Sequence, residues 1–158
     1  MERATLTVRR AGLDDIATVV DLRLALFRDL DSQTANSALA PAQLAIRDFL
    51  QRKMPTDSYI AWLAELDGKV VASTSMVVLE KMPSSHNLTG LEAYLMSVYT
   101  LPAYRRLGAA AALVRTALSY ARERRISRVS LHASDQGRPL YERLGFAHIP
   151  HEMRWVLE

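Results

Sequence analysis

Residues 59–66 and 69–79 are two long apolar runs separated only by Asp67-Gly68. Asp-Gly is the strongest short-range hairpin signal. A two-residue turn that follows the twist of its strands needs positive φ at its centre, and these residue types tolerate it. The runs therefore predict an antiparallel strand pair, and the rest of the chain reads around it. Thr5-Leu6-Thr7-Val8-Arg9 alternates and reads as a first strand, broken by Gly12. Asp14 or Asp15 can cap a helix with apolar positions at Ile16, Val19, Val20, Leu24 and Phe27. Residues 31–40 are small and polar and predict a loop. Pro41 suits the first turn of a second helix over 41–53, whose apolar face carries Leu44, Ile46, Phe49 and Leu50.

After a loop at 82–90, residues 91–100 form a run apolar on both faces, as expected of a central strand. Pro102 ends it. The clearest helix spans 108–123, where Ala110, Leu113, Val114, Ala117, Leu118 and Ala121 recur with helical period. A strand at 128–133, a short helix at 137–144 stopped by Gly145, and two closing strands at 146–149 and 153–157 complete the reading. The expected order is β-α-α-β-β-β-α-β-α-β-β, a mixed α/β sheet.

The 158 residues predict a single domain, 1–158. With 49% hydrophobic and 23% charged residues, the composition is that of a soluble globular protein. Cysteine is absent, which excludes disulfides, thiolate metal sites and a cysteine nucleophile. Met1-Glu2-Arg3-Ala4-Thr5 lacks an apolar leader core, and no apolar run approaches the ~20 residues of a membrane span. A cytoplasmic location and no membrane partner are expected. His86, His132, His148 and His151 form no H-E-x-x-H spacing, so no metal is expected.

The net charge of +3 is too small to predict a nucleic-acid binder, but its distribution matters. Seven Arg and one acid, Glu123, lie between Arg105 and Arg128. Arg recognises phosphate through a planar fork of donors. Within this stretch a strand ends, Arg105-Arg106 follows, and a helix opens on Gly108-Ala109-Ala110. Helix N-termini carry unpaired N–H groups and about half a positive charge, where phosphates settle. Neither the P-loop pattern nor the dinucleotide fingerprint G-x-G-x-x-G is present.

Two motifs go further. Arg105-x-x-Gly108-x-Ala110 follows Pro102-Ala103-Tyr104, and Leu140-Tyr141-Glu142-x-x-Gly145-Phe146 comes some thirty residues later. Together, in this order and setting, they resemble the GNAT superfamily of acyl-CoA-dependent N-acyltransferases. The element order fits that family throughout, and the detailed resemblance covers about residues 91–149. The sequence departs from the family where Asp135 and Gly137 replace a frequent Asn and Ala.

The resemblance implies a mostly antiparallel central sheet whose parallel strands 91–100 and 128–133 splay apart, with flanking helices. Acetyl-CoA would lie in the cleft as co-substrate. Backbone at Val98, Tyr99 and Thr100 would pair with its pantetheine arm, next to a bulge near Val98. Arg105, Arg106, Leu107, Gly108, Ala109 and Ala110 would hold its diphosphate. The implied activity is acetyl transfer to a primary amine by direct attack, with Tyr141 as general acid. Family bases often sit on the splayed strand, where Glu92 is the candidate; residues 92, 94, 96 and 98 would share its face by strand alternation. His132 or water is the alternative. Asp29 and Asp31 could attract a cationic acceptor. The acceptor is expected to be a small molecule; a protein N-terminus or lysine, or a non-catalytic acyl-CoA-binding module, is the alternative. The closing strands could pair two copies into a homodimer.

Overall fold

The structure is a computed structural model that describes residues 4–31 and 36–157. Five strands form one sheet in chain order: β1 (Leu6–Arg10), β2 (Tyr59–Leu66), β3 (Lys69–Glu80), β4 (Leu91–Thr100) and β5 (Arg128–Ser130). The first four pair antiparallel, and β4–β5 is parallel. Asp67 and Gly68 both adopt positive φ, 49° and 79°, so the β2–β3 turn has the backbone its dipeptide dictates.

Four helices cover the sheet: α1 (Ile16–Leu30), α2 (Asn36–Lys53), α3 (Ala109–Glu123) and α4 (Arg138–Arg143). The apolar stripe of α3, including Leu113, Val114, Ala117 and Ala121, is buried against β2, β3 and β4. On the opposite face, Val20, Leu24 and Leu50 from α1 and α2 pack with Ala61 and Leu63 of β2. The sheet is thus sandwiched between two helical layers, each burying one stripe or face as amphipathic elements must. No helix among the described residues is long and apolar enough to cross a membrane.

Three departures from the sequence expectation exceed one residue. Helix α2 begins at Asn36 and carries Pro41 inside it. Residues 32–35 of the expected loop lie outside the described residues. Proline removes one bond to the carbonyl of Ser37, which is exposed and can be hydrated, while buried Leu39 anchors the extra turn. Strand β5 stops at Ser130, not Ala133, because β4 offers it no partner after Tyr94. The closing strands 146–149 and 153–157 are absent: these residues are irregular, and Met153, Trp155 and Leu157 are exposed. Alternating apolar residues make a strand only where an edge receives them, and β5 is too short to supply one.

Candidate functional site

A cleft begins where the parallel pair ends. Glu92, Ala93 and Tyr94 pair with Arg128, Val129 and Ser130; beyond them β4 runs on alone to Thr100. Its edge away from β3 is unpaired there among the described residues. The same segment contains a bulge. Ser73 faces Tyr99 and Ser75 faces Met96, so Ser97 and Val98 together oppose Thr74. Ser97 takes φ of 56°, a left-handed conformation uncommon for a residue with a side chain.

The bulge changes which face each side chain meets. Ala93, Leu95 and Val98 pack on the α3 side, whereas Tyr99 packs on the α1 side. The expected common face of 92, 94, 96 and 98 is therefore corrected: Val98 lies opposite to the first two. The extra residue reverses the alternation that an unbroken strand would keep.

Beyond Thr100 the chain turns through Pro102–Tyr104 and reaches α3. Arg106 and Gly108 take positive φ, 63° and 87°. Such alternation turns successive N–H groups toward one concavity, a backbone nest for anions. The first helical bond runs from the Ala112 N–H to the Gly108 carbonyl, 3.0 Å, leaving the preceding N–H groups at the helix end. A Cβ at Gly108 would meet nothing within 4 Å, so glycine is required here by φ and not by crowding. Ala109 is buried against the sheet, Ala110 is half-buried and Leu107 is exposed.

Arg105 ties this loop down. Its Nε donates to the Thr100 carbonyl at 3.1 Å and its Nη2 to Asp29 Oδ2 at 2.7 Å. The Tyr99 hydroxyl donates to the same oxygen at 3.0 Å. Asp29 is therefore committed to the loop, and its expected service to a cationic acceptor is not what its contacts support.

Tyr141 sits on α4, half-buried on the α3 side of the sheet, its ring edge-to-face with Phe146 at 5.8 Å. Burial raises its phenol above the ordinary value of 10, so it holds its proton at neutral pH. A Cβ at Gly137 would come within 3.2 Å of Tyr141 Cε2 and of Ser134 Oγ. The glycine that departs from the family pattern thus gives the ring its seat.

Glu92 stands at the closed end of the cleft. Lys81 Nζ lies 2.6 Å and Arg128 Nη1 3.4 Å from its carboxylate oxygens. Five residues, roughly 17 Å of strand, separate it from Ser97. Strand alternation puts it on the face opposite the α3 side where Tyr141 packs, so these two candidates are not brought together. His132 is nearer the splay: its Nδ1 lies 2.6 Å from the Tyr94 hydroxyl. Its Nε2 is 2.7 Å from Arg154 Nη2 and 3.2 Å from Glu152. Tyr94 was missed from the sequence, although its register opposite Ser130 places it beside residue 132 once the strands are aligned.

The model of the acetyltransferase (GNAT) family matches residues 23–146. The chain belongs to this family. Members are acetyltransferases that use acetyl-CoA, so acetyl-CoA-dependent acetylation is the chemistry to be placed on this cleft. Structural neighbours agree with the fold. A predicted acetyltransferase of Clostridium acetobutylicum, crystallised with acetyl-CoA, superposes with a TM-score of 0.84 at 24% identity, covering 96% of each chain. A GCN5-related N-acetyltransferase of Ralstonia eutropha JMP134 gives 0.82 at 28% identity, covering 96% of this chain and 99% of that one. Glucosamine-6-phosphate N-acetyltransferase of Arabidopsis thaliana gives 0.72 at 16% identity, covering 98% and 99%. No curated protein matches the sequence.

The residues present fit acetyl-CoA: an anion nest at 106–110 continues directly from an unpaired strand edge. Replacing Arg105 and Arg106 together with Ala is expected to raise the Kd for acetyl-CoA and flatten its salt dependence. Arg105 contributes partly by anchoring the loop. Titrations at low and high salt check this, and curves identical to the parent would assign both residues to a solvated surface.

Proposed function

We propose that this GNAT protein transfers acetyl from acetyl-CoA to a primary amine of a small molecule by direct attack through a tetrahedral intermediate. The observation that carries the reading is the bulged, unpaired edge of β4, which runs on into the positive-φ loop that opens α3. In this reading Val98, Tyr99 and Thr100 receive the pantetheine arm by backbone pairing, and 105–110 hold the diphosphate. Acetyl-CoA supplies the activated acyl carbon.

The chain's own residues handle two protons. As the new C–N bond forms, the amine must lose one; as the C–S bond breaks, the departing sulfur must gain one. Tyr141 donates the second. For the first, we place His132, joined to Tyr94 at the splay, ahead of Glu92 at the closed end of the cleft; to take the proton, the Nε2 of His132 must release Arg154. His132→Gln is expected to lower the rate about tenfold on the acidic limb of the pH–rate profile. Glu92→Gln is expected to act mainly on thermal stability, by releasing Lys81 and Arg128. A limb that moves with Glu92→Gln and stays with His132→Gln returns the base to Glu92.

A panel of primary amines offered with acetyl-CoA, followed by thiol release, tests the reading as a whole. Release with small amines supports it. Release only with protein or peptide amines replaces the acceptor class, and release with none leaves a binding module.

A further inference from the structure

Several charged side chains around the splay are matched by opposite charges. Asp29 is bound by Arg105, Glu92 by Lys81 and Arg128, and Glu152 by Arg154 and His132. Arg23 of α1 differs from these. It is half-buried, and among the described residues its guanidinium makes no ion pair. It donates from Nη1 to Ser97 Oγ at the bulge, and its Cζ lies 4.8 Å from the centre of the Phe27 ring. Its other electrostatic neighbours are the hydroxyls of Tyr59 and Tyr94.

A guanidinium taken out of water without an anion is costly, and proteins normally pair it. The contrast with Arg9 is direct. Arg9 holds Asp15 and Glu65, which raise its pKa, whereas burial pulls that of Arg23 down. Ser97 occupies one nitrogen of Arg23. The remaining Nε and Nη2 donors form the edge that matches a carboxylate with two parallel bonds.

We infer that Arg23 receives the carboxylate of the acceptor, so that the substrate is an amine bearing a carboxylate close to its nitrogen. The inference rests on the acetyl-transfer reading of this cleft. The short spacing follows from position: Arg23 is bonded to Ser97, and the next residue, Val98, borders the place assigned to the acyl group. A phosphate dianion would call for further cations beside the guanidinium, whereas a single fork suffices for a carboxylate.

Calorimetry on the full chain with CoA present tests the site without turnover. N-acetylalanine is expected to bind about tenfold more tightly than N-ethylacetamide, which lacks only the carboxylate. Arg23→Gln should erase that difference, and Arg23→Lys, which keeps the charge but not the fork, should restore part of it. Equal binding of the two ligands by the parent protein overturns the inference without any variant. So does a difference that persists in Arg23→Gln, which would leave Arg23 as a brace for the bulge. Tighter binding of N-acetyl-2-aminoethyl phosphate than of N-acetyl-β-alanine overturns the choice of carboxylate. If no amine releases thiol from acetyl-CoA while N-acetylalanine still binds through Arg23, the transfer reading fails and the carboxylate site stands.

Discussion

Gly108→Glu is expected to abolish acetyl-CoA binding in a protein that still folds. Position 108 is the left-handed residue at which the loop turns into α3, with φ of 87°. A side chain there costs about 1–2 kcal/mol of backbone strain, because Cβ crowds the following carbonyl. That strain bears on the Arg106–Ala109 backbone, whose N–H groups are proposed to hold the diphosphate. The added carboxylate does more. Space around Gly108 is open for 4 Å, so the new side chain has room beside the loop proposed to hold the diphosphate. A negative charge about 5 Å from a phosphate, at an effective dielectric of about 20, is unfavourable by roughly 3 kcal/mol per charge pair. Gly108→Ala separates the two effects, since it brings the strain without the charge and should weaken binding only moderately. Calorimetric titration with acetyl-CoA checks both variants. A folded Gly108→Glu protein with parental affinity removes the cofactor site from this loop.

The parts of the fold written in local chemistry were legible. Asp67-Gly68 set the hairpin because its backbone preference is intrinsic to two residues. The stripe from Leu113 to Ala121 gave α3 because its period is independent of what it packs against. The β4–β5 splay was legible only through the resemblance, since nothing in 91–100 or 128–133 states that the strands part after Tyr94. The bulge left a trace in the sequence: the alternation Ala93, Leu95 breaks at polar Ser97 and resumes at Val98. Strand termini were the least legible, because they depend on partners elsewhere. Residues 153–157 place Met153, Trp155 and Leu157 at alternate positions but face no long edge. Arg23 shows the same limit at the site. In sequence it is one arginine within the helix Ile16–Leu30, and only the ion pairs formed by its neighbours make it unusual.

Tyr141→Phe is expected to lower kcat about 100-fold while leaving acetyl-CoA affinity and Tm nearly unchanged. The ring packs on Phe146 and the α3-side core, and phenylalanine keeps those contacts. Only the hydroxyl is lost, and with it the proton proposed for the departing sulfur. Burial raises the pKa of Tyr141, so the protonated phenol persists to higher pH than in water. The sign follows: an alkaline fall in kcat caused by ionisation of this acid should lie above pH 10. Transfer from such a phenol to a thiolate, whose conjugate acid is ordinarily near 8.5, is uphill by pKa alone. Its benefit must come from position and a water-poor site. General acids typically contribute ~10²–10⁴-fold, and a thiolate is already a tolerable leaving group, which puts the expected loss at the low end. Single-turnover measurements of thiol release across pH, with chemistry rate-limiting, check the value. Parental kcat in Tyr141→Phe refutes the acid role, and a fall in Tm without a change in the single-turnover rate assigns Tyr141 to packing α4 against the sheet.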